Sequence, residues 1–204
     1  MIIKTKKELR FCLMADRMMN RGSFRITWLQ RLKELVRPDL PMKYLRCMRK
    51  LSYYKYRRNP IWIYYHGKYI KLGYRLGYTV CPDACGYGLV FPHYGVIVIG
   101  RKNTIGNYAM IHVGTLFTTD ERIVGDNLYL ASGAKVTTGM NLGNSVTIAA
   151  NSVVTKSFVD DNILLAGMPA VIKGKRGPWW EANETFIMRH QRCEELRAKM
   201  FFSH

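Results

Sequence analysis

Two hydrophobic rhythms divide this chain. Over residues 6–36 apolar side chains recur three or four apart, as in Phe11, Leu13, Met14 and Met18 and again in Trp28, Leu29, Leu32, Leu35 and Val36, with a break at residues 20–23. That spacing lines one face of a helix, so two short helices are predicted. Arg37-Pro38-Asp39-Leu40-Pro41 ends the second, because proline disfavours a helical residue before it and supplies no amide donor. Residues 42–58 and 61–73 mix Arg and Lys with Tyr, Leu, Met, Ile and Trp on either side of Asn59-Pro60. They read as two more amphipathic basic helices, with strands as the alternative because Tyr and Ile favour them too.

After Gly77 the rhythm changes to a period of six. Apolar residues stand at Ile99, Ile105, Ile111 and Phe117 and, after a one-residue slip in residues 118–123, at Val124, Leu130, Val136, Leu142, Ile148 and Val154. Gly or Ala often follows, as in Ile105-Gly106, Val124-Gly125 and Leu142-Gly143, which suits a tight turn. A helix repeats its apolar face every three or four residues and a strand every two, so a sustained period of six fits neither alone. It fits a solenoid in which each hexad is one strand and a turn, three hexads close a triangular coil, and coils stack about 4.8 Å apart. An ordinary antiparallel β domain with coincidental spacing is the competing reading.

Composition narrows the class. With 204 residues, 48% hydrophobic and 23% charged, the chain suits one folded domain with an extension and excludes wholesale disorder or a collagen-like repeat. The net charge of +18 is concentrated: residues 1–78 hold 20 basic and 4 acidic side chains. Such a block favours anionic partners such as phospholipid head groups, nucleic acid or phosphorylated carriers, and charge alone does not choose among them. Five cysteines without framework spacing, no signal-peptide core and no apolar run near the roughly 20 residues of a spanning helix predict a reduced, cytoplasmic protein. Cys81 and Cys85 have no second ligand pair at zinc-site spacing, so no metal is assigned.

Three ordered segments then become informative. Phe91-Pro92-His93-Tyr94-Gly95-Val96-Ile97-Val98-Ile99-Gly100, Ile148-Ala149-Ala150-Asn151-Ser152-Val153-Val154-Thr155-Lys156 and Ala166-Gly167-Met168-Pro169-Ala170-Val171-Ile172-Lys173-Gly174-Lys175 resemble, in turn, the histidine segment, a late coil and the terminating segment of hexapeptide-repeat acyltransferases of the serine acetyltransferase-like branch. The resemblance covers about residues 79–176. It implies a mainly β fold: a left-handed parallel β-helix at 79–176, preceded by a basic helical region at 1–78 and followed by a C-terminal helical tail at 177–204. It also implies a homotrimer with active sites in the grooves between subunits.

The resemblance implies acetyl-CoA as co-substrate and His93 as the general base that takes the acceptor hydroxyl proton, a task suited to an imidazole titrating near neutral pH. A backbone N–H would hold the oxyanion. The chain departs from the serine enzymes in having Pro92 where Asp precedes the base, and Thr119-Asp120-Glu121-Arg122 where the loop carries a second His. Asp83, Asp120 or Glu121 would orient His93 or hold the acceptor, or else are solvated surface carboxylates. His112 follows an inward Ile and so faces outward, in an acceptor contact or a structural role. For coenzyme A the resemblance carries to Ser132 and Ala150 along the pantetheine and to Thr155 and Lys156 near the solenoid end. Lys173, Lys175 and Arg176 are candidate phosphate partners.

The basic N-terminal region separates the acceptor readings. A polybasic amphipathic segment with tyrosines suits peripheral contact at the inner face of a membrane, which favours O-acetylation of a sugar during surface-polysaccharide assembly on lipid-linked intermediates. L-serine, the acceptor in cysteine biosynthesis, is the alternative. A reading of another class is a basic nucleic-acid- or membrane-binding scaffold without catalysis, in which Tyr53-Tyr54-Lys55-Tyr56-Arg57-Arg58 contacts bases and phosphates. Nothing in residues 79–176 calls for nucleic acid.

Overall fold

The computed structural model describes residues 1–118, 121–137 and 139–202. Helix α1 (Lys6–Arg21) starts at a capping box, in which Thr5 Oγ1 accepts the Glu8 N–H and the Glu8 carboxylate accepts the Thr5 N–H. It stops at Gly22, whose φ of 70° ends the helical ladder. Helix α2 (Trp28–Val36) repeats the box with Thr27 and Gln30, and Asp39 caps α3 (Leu40–Tyr56), with Pro41 in its first turn. Helix α4 (Ile61–Leu76) ends at Gly77 in the left-handed region. Helices therefore replace the strand alternative for residues 42–73, because capping and burial of one face act together.

From Tyr78 onward the chain winds as a parallel β-solenoid with three faces. Face A stacks Tyr78–Val80, Ile97–Ile99, Thr115–Phe117, Lys135–Val136 and Val153–Val154. Face B stacks Asn103–Ile105, Arg122–Val124 and Asn141–Leu142, and face C stacks Met110–Ile111, Tyr129–Leu130, Thr147–Ile148 and Ile163–Gly167. The last strand, Ala170–Lys175, folds back antiparallel on Ile163–Gly167 and closes the end of face C. Ile97 pairs with Thr115 and Lys135 with Val153, each eighteen residues on, as three hexads per coil require. The coil containing the slip is one residue longer: Asn103 pairs with Arg122.

The hexad column is the core. All ten predicted apolar positions from Ile99 to Val154 lie inside, none more than 4% exposed. The small residues after them have a different cause from the one expected. A Cβ on Gly125 would lie 2.5 Å from Asn144 Oδ1 of the next coil, so close stacking, rather than a special turn dihedral, excludes a side chain there. At the corner between faces B and C, Asn and Asp form a ladder: the Asn107, Asp126 and Asn144 N–H groups donate in turn to Asp126, Asn144 and Asp161 at 2.7, 2.9 and 2.6 Å.

A second cluster joins α1 to the C-terminal helix α5 (Glu184–Phe201) and to the outside of the first coils through Phe11, Met18, Tyr87, Tyr108, Trp179 and Cys193. Trp179 Nε1 donates to the Tyr108 carbonyl and Trp180 Nε1 to Asn127 Oδ1, so the tail packs back on the solenoid. Between helices and solenoid, the fully buried Arg49 donates to both carboxylate oxygens of Asp16 and to the Cys85 and Gly86 carbonyls. Asp16 also accepts the Leu89 N–H. Among the described residues no helix is long and apolar enough to cross a membrane.

Candidate functional site

The corner at which the chain leaves face C and enters face A recurs once per coil. In the first coil six residues, 91–96, span it between Val90 and Ile97; in the next, only 111–114 lie between the partners Met110 and Thr115. The longer connection loops outward and exposes His93 and Tyr94. Its base is fixed. Phe91 is buried against Tyr78 with ring centroids 4.9 Å apart, and the Tyr78 hydroxyl donates to the His93 carbonyl at 2.6 Å. The Gly95 N–H donates to the Leu76 carbonyl at 2.8 Å, tying the loop to the end of α4. Gly95 has φ 146°, and a Cβ there would stand 3.0 Å from Val113 Cγ1, so only glycine fits without strain.

His112 occupies the same corner one coil on. Its N–H donates to the Leu130 carbonyl at 3.0 Å, and its carbonyl accepts from Thr115 Oγ1 at 2.9 Å. The ring is half-buried, and its Nε2 has no hydrogen-bond partner among the described residues. Burial lowers the His112 pKa, and the nearby His93 lowers it further, so the two imidazoles interact. On its other side the His112 ring lies 5.2 Å from that of Tyr129, over which the Arg176 guanidinium sits at 5.8 Å.

Beyond the imidazoles the same corner carries mostly small residues, with Asn151 stacked beside Gly133. Ser132 and Ala150 are exposed and Ala131 and Ala149 half-buried, leaving a shallow track along the stacked coils. Backbone bonds hold it rigid: the Asn151 N–H donates to the Ser132 carbonyl and the Gly133 N–H to the Val113 carbonyl. Lys173 and Lys175 are exposed on the strand that closes face C.

The remaining candidates stand elsewhere in this chain. Glu121, Thr155 and Lys156 are exposed at the corner between faces A and B, where the Lys156 ammonium lies 5.5 Å over the Phe158 ring. Asp120 lies outside the described residues. Asp83 accepts from the Ser52 hydroxyl and so is engaged by α3 rather than by His93. Thus His93, His112, Ser132 and Ala150 come together, and among the described residues neither Asp83 nor Glu121 joins them within one chain. Tyr129 and Tyr78 were missed by sequence reasoning. The available signal for Tyr129 was its outward place just before inward Leu130, one coil above Met110. Among the described residues no three His, Cys, Asp or Glu side chains gather as a metal ion needs.

No protein-family model matches the chain. The sequence is 34% identical over 122 residues to a serine acetyltransferase of Staphylococcus aureus strain Mu50, covering 56% of each chain. It is 33% identical over 109 residues to one of Staphylococcus epidermidis strain ATCC 12228, covering 50% of this chain and 51% of that one. The chain thus spans about half the length of the curated relatives it matches. A solved serine acetyltransferase in complex with CoA superposes with a TM-score of 0.63 over 82% of this chain and 70% of that one, at 22% identity. The Neisseria gonorrhoeae serine acetyltransferase also gives 0.63, over 88% and 72%, at 16% identity. The fold is that of the serine acetyltransferases. The neighbours extend past the solenoid, since they cover more of the chain than residues 79–176 alone.

Proposed function

We propose that this chain transfers an acetyl group from acetyl-CoA to a hydroxyl group of a saccharide, with His93 as general base. The observation that carries the reading is the corner column: two neighbouring imidazoles at one end of an exposed track of small residues on a rigid β-solenoid. The small residues Ser132 and Ala150 leave room for an extended pantetheine, and Lys173, Lys175 and Arg176 offer charge for phosphates.

In the proposed step His93 removes the acceptor hydroxyl proton as the oxygen attacks the thioester carbonyl carbon. The tetrahedral intermediate collapses with breakage of the C–S bond, and the imidazolium returns its proton to the departing thiolate. His112, kept neutral by burial, adds no competing positive charge beside His93. Three-fold packing of the solenoid would cover its faces and bring the corner bearing Glu121, Thr155 and Lys156 of one chain toward the imidazole corner of another.

The acceptor is inferred from charge. Among the described residues no Asp or Glu lies on the imidazole corner, so a neutral hydroxyl compound fits better than a zwitterion whose ammonium needs a carboxylate. L-Serine is the second reading, supported by the names of the relatives, and it requires a carboxylate such as Glu121 from a neighbouring subunit. The basic N-terminal helices support work beside an anionic membrane face, where lipid-linked saccharides are held.

The test is release of coenzyme A thiol from acetyl-CoA by wild type and His93→Ala, with L-serine and a panel of sugars as acceptors. Sugar-dependent release that the variant loses supports the proposal. Release with L-serine alone moves the acceptor to the second reading, and failure to bind acetyl-CoA overturns transfer altogether.

A further inference from the structure

A cavity of about 860 Å³ opens between α1, the end of α3 and the start of α4, and it shares no residue with the imidazole corner. Four cationic side chains reach it: Lys6 and Arg10 one turn apart on α1, Arg25 in the segment before α2, and Arg57 at the end of α3. Among the described residues no carboxylate lines it, and none of the four cations is held in an ion pair. Like charges brought together without a counter-charge repel one another, and an anion placed among them relieves that repulsion.

The rest of the lining is hydrocarbon. Leu9, Leu13, Met14 and Ile61 present aliphatic surface below the cations, so the cavity matches a molecule with a charged head and an apolar body. It does not match a nucleic acid base. Tyr53 is 8% exposed, and the Tyr54 ring is already stacked on Tyr65 with planes 2° apart, so neither ring is an open platform.

Both elements that leave the cavity carry unpartnered apolar side chains. Arg25 leads into α2, where no residue is buried and Trp28, Leu29, Leu32, Leu35 and Val36 are between 52% and 91% exposed. Ile61 opens α4, where Ile63 and Tyr64 are more than 60% exposed. A cationic cavity flanked by two exposed apolar segments is arranged for a lipid–water boundary.

We propose that this cavity holds one anionic phospholipid. The phosphate sits among Lys6, Arg10, Arg25 and Arg57, the first carbons of an acyl chain lie over Leu9, Leu13, Met14 and Ile61, and the exposed face of α2 rests on the surrounding bilayer. The site stands apart from the acetyl-transfer reading and is measured without acetyl-CoA, so failure of either leaves the other standing.

The experiment uses the full chain and dihexanoyl phosphatidate below its micelle concentration, with binding read by calorimetry. Inorganic phosphate and a single-stranded oligonucleotide are parallel probes, and folding is checked by circular dichroism. The cavity variant is Arg10→Ala/Arg57→Ala; the charge-matched control is Lys71→Ala/Arg75→Ala on the exposed far half of α4. Wild type and control are expected to bind phosphatidate alike and the cavity variant at least tenfold more weakly, with sedimentation on phosphatidylglycerol-containing vesicles following the same order. Equal weakening in both variants makes the attraction diffuse charge and overturns the site. So does phosphate binding as tight as phosphatidate, oligonucleotide binding tighter than phosphatidate and lost in the same variant, or no phosphatidate binding by wild type.

Discussion

His112 lies one coil beyond His93 on the same solenoid corner, close enough for charge on His93 to lower the His112 pKa. The register forces this meeting, because Val90 pairs with Met110 and Ile97 with Thr115, bracketing the two histidines between the same two faces in successive coils. A neutral, half-buried His112 next to an exposed His93 gives the two imidazoles different work.

Replacing the exposed imidazole should separate chemistry from binding. His93→Ala is expected to lower kcat for acetyl transfer by about 10²–10⁴-fold, the usual contribution of a positioned general base, and to leave coenzyme A affinity unchanged. Steady-state thiol release together with equilibrium coenzyme A binding checks both halves; a parallel fall in affinity would place His93 in the cofactor track instead.

His112 makes folding stability depend on pH. Its folded pKa is lowered, first by burial and then by His93, so the unfolded chain binds more protons once pH falls below its ordinary value of about 6.5. Stability therefore rises with pH through that window and is lost on acidification toward the lowered value. His112→Gln should flatten the part of the Tm-against-pH curve below about pH 6.5. His190, also lowered by burial, provides the comparison: His190→Gln should flatten a separate share.

The loop that presents His93 depends on Gly95. With φ at 146° and Val113 Cγ1 3.0 Å from an added Cβ, Gly95→Ala should cost about 1–3 kcal/mol in denaturant unfolding. Activity should fall beyond what the lost stability explains, because the strain is relieved by moving the loop. Gly174, whose Cβ would meet nothing within 4 Å, is the control, and Gly174→Ala should leave both properties near wild type.

The seam between helices and solenoid depends on a buried ion pair. Asp16→Ala leaves the fully buried Arg49 without its carboxylate and the Leu89 N–H without its acceptor. Removing one partner of such a pair costs about 3–5 kcal/mol, which equilibrium unfolding would read directly. Arg21 and Asp39, paired at 2.6 Å but partly exposed, should matter far less: Arg21→Ala is expected to cost at most about 1 kcal/mol.

The solenoid was legible because its evidence is periodic. One inward residue every six positions, from Ile99 to Val154, leaves a mark that no local irregularity erases, and the slip at residues 118–123 appears as one coil longer by a residue. Among the helices, the capping by Thr5, Thr27 and Asp39 emerged only from the structure, and Gly77 matters for a reason that spacing does not reveal. A Cβ there would stand 3.0 Å from the Gly95 carbonyl, eighteen residues away.

The site was legible only in part. His93 stood out within a family-like segment, but the segment does not say which coil lies beside it. Tyr129 reaches His112 through strand register, and Arg176 reaches Tyr129 through the return of the last strand, both consequences of three-dimensional closure. Conversely, Glu121 and Lys156 lie within plausible chain distance yet turn out at another corner, since four residues of a solenoid are enough to change face.

By itself the sequence determined the column of Val, Ile and Leu, the helical spacing before it and the concentration of positive charge, all of which follow from local spacing and composition. The tertiary structure alone decided which corners hold His93, His112 and the small-residue track, and where Lys6, Arg10, Arg25 and Arg57 converge. The physical reason is that hydrophobic periodicity sets which residues face inward, whereas outward residues meet only through coil register and helix packing.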